Sequence, residues 1–357
     1  YHENFFASKM HVWTELGALN LIALPSDQAA QVDELLAQIK NELNAWTTRG
    51  FLTVAFQRDS NIGSIPQTGA GVSDSEDYPY QRADSNFTAS ATVRSQYDLG
   101  NQAKDSVYYQ ISGSRTVGDA SKLKDMASGS LMIGTAINYG LSRVNVYAQT
   151  TKLDRDPVVR RLDPSKTKIK RDAIHTRSVG TSWSRPFKTT SVQTSYLYSR
   201  SDYMGRPISN NSDSKTHALS GSMFHTLSDS AAVFGGLGVE WRRAKDRVVP
   251  SARASQDRAA FTINGDYVYI PLPHQRVTLS AKFRRLDYKE PLSPETKIRD
   301  DRELTLSAAY VISWDAVSVG LKDWELGFSV SRTKNESNIA AYDIKNNYLG
   351  MSLTYTF

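Results

Sequence analysis

Bulky apolar residues recur at every second position through most of this chain, and that alternation constrains its fold more than any other feature. Val277, Leu279, Ala281 and Phe283 alternate with Arg276, Thr278, Ser280 and Lys282. Trp324, Leu326, Phe328 and Val330 alternate with Glu325, Gly327, Ser329 and Ser331. Val233, Gly235, Leu237, Val239 and Trp241 do so against Phe234, Gly236, Gly238, Glu240 and Arg242. Leu349, Met351, Leu353, Tyr355 and Phe357 repeat the pattern at the end of the sequence. A period of two is a β-strand with one apolar and one polar face. It is shared by soluble sandwiches and membrane barrels, so the connections must decide between them.

Alternation and turn signals predict about fourteen strands, from Phe51–Arg58 to Tyr342–Phe357. Their connections alternate in length. Short ones fall at Leu99-Gly100-Asn101, Tyr139-Gly140-Leu141, Arg185-Pro186-Phe187, Leu227-Ser228-Asp229 and Ile270-Pro271-Leu272-Pro273. Long polar ones cover Asp59–Ser85, Asp154–Asp172, Asp202–Ser214, Ala244–Asp257 and Lys289–Asp300. Tight turns at one end and long loops at the other are the asymmetry of an outer-membrane barrel. The expected fold is therefore an all-β, antiparallel, up-and-down transmembrane barrel occupying 50–357. An even strand number puts both ends of the barrel on the short-turn side, which places both termini in the periplasm of a bacterial outer membrane.

Composition agrees. Mean hydropathy is −0.46, and no apolar run approaches the roughly 18 residues of a membrane helix. Barrel strands need only about 10 alternating residues, so low hydropathy is expected of them. The 18 Tyr, 12 Phe and 6 Trp supply material for interfacial aromatic girdles. The absence of cysteine excludes disulfides, thiolate metal sites and thiol catalysis. A net charge of +6 is only mildly basic, and Lys and Arg are dispersed rather than gathered in a patch, which argues against a nucleic-acid partner. The start at Tyr1 reads as a mature or truncated product.

Residues 1–46 read differently. Phe5, Phe6, Met10, Trp13, Leu16, Leu19, Leu21 and Ile22 lie near helical spacing. Leu24-Pro25-Ser26-Asp27 supplies a break and an N-cap. Ala29, Val32, Leu35, Leu36, Ile39 and Leu43 then form an amphipathic stripe. The expectation is a periplasmic helical hairpin, either a cap on the barrel or the end of a helical-repeat domain of tetratricopeptide type.

A charge facing lipid at mid-membrane costs roughly 2–4 kcal/mol for Arg or Lys, so charges within strands mark the lumen side. The lumen candidates on this argument are Arg94, Arg143, Glu240, Arg242, Arg276, Lys282, Arg284 and Glu325. The loop residues Arg155, Arg160, Arg161, Lys166, Lys168, Lys170 and Arg171 form a basic stretch. It suits an anionic partner such as lipopolysaccharide, or is simply a solvated loop. No catalytic constellation emerges, and no cofactor or metal is expected. His217 and Ser220 are three apart on a strand, on opposite faces, which a hydrolase pair cannot use. Asp154-Arg155-Asp156 and Arg299-Asp300-Asp301-Arg302 are charge-rich, and solvated loop charge accounts for them better than a bound cation.

Two resemblances add to this. The terminal Phe357, with Tyr355 and Leu353 on the same face, resembles the C-terminal signal of bacterial outer-membrane barrels, which implies the barrel-assembly machinery as a partner. More of the chain carries a second one. Leu24-Pro25-Ser26-Asp27-Gln28-Ala29-Ala30 opens a helix leading to Phe51–Phe56 and Arg58-Asp59-Ser60-Asn61-Ile62. Ser331-Arg332-Thr333-Lys334-Asn335-Glu336-Ser337-Asn338-Ile339 is followed by Tyr342-Asp343, Asn346-Asn347 and the final strand. From about residue 24 onward this combination resembles the surface lipoprotein assembly modifier family and related tetratricopeptide–barrel proteins. The resemblance implies a fourteen-stranded barrel behind a periplasmic repeat domain, moving lipoproteins or other proteins to the cell surface. Exopolysaccharide secretion and structural anchoring of a surface appendage or lipoprotein are the alternatives.

Overall fold

The computed structural model describes residues 45–60, 84–101, 103–118, 126–155, 172–204, 213–244, 257–289, 297–314, 321, 323–339 and 342–357. The helical hairpin expected over 1–46 lies outside the described residues except at its end, where residue 46 is already strand.

The strands are β1 (Trp46–Asp59), β2 (Asp84–Asp98), β3 (Ser106–Gly118), β4 (Met126–Tyr139), β5 (Ser142–Arg155), β6 (Asp172–Phe187) and β7 (Thr190–Met204). They continue as β8 (Ser214–Ser228), β9 (Ala231–Ala244), β10 (Arg258–Tyr269), β11 (Gln275–Tyr288), β12 (Asp300–Ser313), β13 (Trp324–Ser337) and β14 (Ile344–Thr356). Each pairs with its sequence neighbours, and β1 pairs antiparallel with β14, so the sheet closes. This is the fourteen-stranded up-and-down barrel expected from the alternation. Closure leaves no sheet edge in lipid, which the hydrocarbon requires because it offers no water to unpaired backbone groups.

Differences from the sequence reading are confined to boundaries. β1 begins at Trp46 rather than near Gly50, because Gly50 interrupts the outward alternation and hides the strand's start. Arg185, Pro186 and Phe187 belong to β6, and the turn follows them. β14 begins at Ile344, two residues later than the expected Tyr342.

The register fixes which residues share a face. Directly paired residues lie on the same side of a sheet. Tracing the row of Val54 leads through Leu353 to Leu326 on one side and through Ala89 to Arg115 on the other. One face carries Val54, Phe56, Ile111, Ile133, Leu219, Leu237, Ile263 and Leu279, all exposed. The other carries the buried polar residues Asp59, Asn86, Ser106, Ser214, Asp301 and Asn335. Apolar outside and polar inside inverts a soluble core and suits a barrel solvated by lipid. Leu349, Met351, Leu353, Tyr355 and Phe357 all lie on the outward face, with Met351 49% and Phe357 48% exposed.

Aromatic residues gather where the outward face meets the short-connection end. Trp46 packs at a tilt against Tyr97 at 5.0 Å and approaches Tyr109 edge-on at 6.4 Å, and Trp324 packs on Tyr355 at 4.9 Å. Inside, hydroxyl pairs bridge neighbouring strands: Thr53–Thr354 at 3.0 Å, Thr88–Thr116 at 2.9 Å, Ser112–Ser130 at 2.7 Å and Ser195–Ser220 at 2.7 Å. Such cross-strand pairs each contribute a few tenths of a kcal/mol to about 1 kcal/mol and help hold the register.

At the β2–β3 connection, Asp105 ties two hairpins together. Its carboxylate accepts the Asn138 backbone N–H at 2.7 Å and the Asn101 side-chain N–H at 2.8 Å. The bond from Asn138, then that from Asn101, holds its pKa below the ordinary 3.8. A carboxylate depressed on folding stabilises the fold above its unfolded pKa, and the contribution is lost as pH falls through the lower folded value. Hydrogen exchange at the Asn138 amide, corrected for its intrinsic rate, should therefore accelerate only below about pH 4. Asp105→Asn should remove that acid dependence.

Candidate functional site: the barrel lumen

The register puts Arg94, Arg143, Glu240, Arg242, Arg276, Lys282, Arg284 and Glu325 on the same face as the inward Ser and Thr rows. Arg94 opposes Gln110, Arg143 opposes Ser184, and Lys282 lies between Asn264 and Thr305. These eight do not form one cluster.

Most of the charge lies on the wall built by β9 to β13. Glu240 is its hub, accepting a hydrogen bond from Arg258 at 3.4 Å and forming an ion pair with Arg284 at 3.7 Å. Arg242 is the direct cross-strand partner of Arg258. The Nε atoms of Arg242 and Arg258 are buried without a hydrogen-bond partner. Towards the short-connection end, Arg276 and Glu325 approach to 3.9 Å while remaining 50% and 42% exposed. Arg258 was missed from sequence because it is the first residue of its strand. Counting back from the outward Phe261 and Ile263 identifies it as inward.

The wall of β3 to β8 is different. Among its described inward side chains Arg143 is the one charge, and Ser, Thr, Asn, Gln and Tyr make up most of the rest. Tyr108 lies against Gly134 on the next strand, where an added Cβ would sit 2.6 Å from the phenol and 2.8 Å from the Val146 carbonyl oxygen. Tyr147 covers Gly180 in the same way, with its hydroxyl 2.5 Å from where a Cβ would be. Lacking side chains, these glycines let the rings lie flat on the wall instead of crossing the lumen. Arg94 places its guanidinium carbon 4.0 Å from the centre of the Tyr108 ring, within cation–π range.

The charge-rich segments are occupied by their own partners. Asp154 pairs with Lys152 at 3.3 Å, and Asp300 with Arg285 at 2.8 Å. Arg299 donates from Nε to both oxygens of Asp301, at 2.9 and 2.8 Å, and its guanidinium lies 3.7 Å from the centre of the Tyr342 ring and 4.7 Å from that of Tyr288. Among the described residues no group of acids and histidines could hold a metal ion. His217 hydrogen-bonds Tyr196 on the outward face, whereas Ser220 pairs with Ser195 on the inward one. In the basic stretch, Arg155 ends β5. Arg160, Arg161, Lys166, Lys168, Lys170 and Arg171 lie outside the described residues.

The barrel is similar to the outer membrane channel DcaP of Acinetobacter baumannii, at 12% identity and a TM-score of 0.47 over 87% of this chain and 97% of that one. It is similar to CdiB from Acinetobacter baumannii, at 12% identity and a TM-score of 0.46 over 88% of this chain and 60% of that one. An anion-selective porin from Comamonas acidovorans is similar at 9% identity, with a TM-score of 0.45 and coverage of 87% and 99%. No protein-family model and no curated protein matches the chain. The class follows from closure, register and the apolar exterior: the chain forms an outer-membrane β-barrel.

Proposed function

We propose that this barrel is a conduit through the outer membrane, and that its substrate is a protein or lipoprotein segment bound for the cell surface. The carrying observation is the exposure of inward side chains. Arg276 and Glu325 keep 50% and 42% of their surface accessible, and the inward Phe51 keeps 44%. Side chains that fill a small barrel would be covered, whereas these three stay exposed towards the short-connection end, which supports an accessible mouth. A polar lining of hydroxyls with one charged wall offers hydrogen bonds and ionic contacts to a polypeptide without a strong apolar trap. The protein substrate is supported by the resemblance to the surface lipoprotein assembly modifier family. On this reading the long connections face outward, and both ends of the barrel, with the segment before it, face the periplasm.

The neutral wall favours a second reading. Tyr108 and Tyr147 lie flat among inward Asn, Gln and Ser residues, a surface that also suits sugar hydroxyls, as polysaccharide secretion would need.

Reconstituted protein should conduct ions in planar bilayers, and Arg276→Gln with Lys282→Gln should lower its anion preference. The substrate is tested by surface labelling of a co-expressed candidate lipoprotein, with and without residues 1–44. Loss of display with an intact barrel supports protein translocation. Undiminished display overturns that role, and conduction blocked by an acidic polysaccharide but not by an unfolded lipoprotein would favour the sugar reading.

A further inference from the structure

The outward face carries charges towards its long-connection end, and one run of them is wholly cationic. Arg177 of β6 opposes Arg200 of β7, Arg200 opposes Lys215 of β8, and Lys215 opposes Arg243 of β9. Four cations therefore stand side by side across four strands, over about 14 Å at ~4.8 Å per strand. Like charges directly opposite one another oppose sheet pairing, so the row calls for counter-charge. Among the described residues Asp202, two positions along β7, lies 3.1 Å from Arg200. No ion pair among the described residues joins a carboxylate to Arg177, Lys215 or Arg243, and these three are exposed.

The depth of the row identifies the partner. One pleat step nearer mid-membrane lies the row Tyr198, His217 and Trp241, with Tyr198 and His217 rings 5.0 Å apart and Trp241 48% exposed. Aromatic and imidazole rings at that position mark the membrane interface. Beyond them come Leu219 and Leu237, 49% and 57% exposed, in the hydrocarbon. The cations thus sit at headgroup level, at the end bearing the long connections.

We propose that Arg177, Arg200, Lys215 and Arg243 form a binding site for a phosphorylated lipid of the outer leaflet, a glycolipid carrying two phosphates of the lipid A type. Phosphate oxygens bridge neighbouring guanidinium and ammonium groups, turning a repulsive row into a charge-assisted hydrogen-bonded one. The spacing suits two phosphates on one headgroup, and the acyl chains descend over Leu219 and Leu237. The assignment to the outer leaflet rests on the orientation proposed above, with the long connections outside.

The test uses the full chain in neutral detergent, with bound lipid read by native mass spectrometry. Bis-phosphorylated lipid A should be retained, and Lys215→Gln with Arg243→Gln should weaken retention at least tenfold while leaving heat-modifiable mobility unchanged. Lys215→Arg should keep the affinity, and so should Lys345→Gln, which lies on the opposite side of the barrel. Dephosphorylated lipid A should bind the unaltered protein as weakly as the double variant binds the phosphorylated lipid. Equal retention by wild type and double variant overturns the site. Complete displacement by equimolar inorganic pyrophosphate overturns the lipid assignment in favour of a free-anion site. Orientation is read separately with Ser230→Cys, in the turn after β8: labelling by an impermeant maleimide on intact cells would refute the orientation even if lipid A bound.

Discussion

Phe357→Ala should lower the fraction of folded barrel several-fold, and Gly50→Val should do the same by the opposite physical route. Gly50 and Phe357 exchange backbone hydrogen bonds of 2.8 and 2.9 Å at the seam where β1 meets β14. The Phe357 ring lies over the bare Gly50 backbone, where an added Cβ would collide with it and would come within 2.8 Å of the Thr92 carbonyl oxygen. Phe357→Ala uncovers that pair. Gly50→Val expels the ring and strains the β1–β2 ladder. Gel mobility before and after heating measures the folded fraction. If the ring contact matters, Gly50→Ala and Phe357→Ala should be less than additive, because the second removes the group with which the first collides. Full additivity would refute the contact.

Asp301→Ala should be the most damaging single change at the long-connection end. Asp301 is wholly buried and holds Arg299, itself placed between Tyr288 and Tyr342. Removing the carboxylate leaves a largely covered guanidinium without its counter-charge, which costs about 3 kcal/mol. Asp301→Asn, which keeps an acceptor oxygen, should cost less. Urea unfolding in lipid vesicles gives the ranking. Hydrogen exchange at Tyr288, whose amide donates to the Arg299 carbonyl at 3.2 Å, locates the damage. Equal midpoints for Asp301→Ala and wild type would show that the pair contributes nothing.

The barrel itself was legible because its signal is repeated fourteen times. An error at one strand end, such as Trp46 or Ile344, does not alter the count or the order. The rule that strand charges face the lumen is sound at mid-membrane, where lipid exposure is costly. It weakens towards the headgroups, where the cost for Arg or Lys falls to about 0–1 kcal/mol. That is why Arg177, Arg200, Lys215 and Arg243 escaped notice. Each lies on a different strand, and only the register lines them up. The hub at Glu240 was likewise hidden, since Arg258 and Arg284 come to it from other strands. Alternation identifies a face, while cross-strand neighbours depend on the relative stagger, which no single strand encodes.

The two aromatic rows also act as a ruler. On β9 the outward positions run from Ala231, in the row of Tyr269, to Trp241, in the row of His217 and Tyr198. At ~3.4 Å per residue and a tilt near 40°, that interval projects to about 25 Å along the barrel axis. It is shorter than the roughly 30 Å core of an average bilayer and suits the thinner outer membrane. A closed barrel cannot stretch, so longer acyl chains must compress around it, at fractions of a kcal/mol per Å of mismatch. Two barrels side by side share one dimple rather than making two. Thick bilayers should therefore draw copies of this protein together through membrane elasticity alone, with no residue specifying the contact.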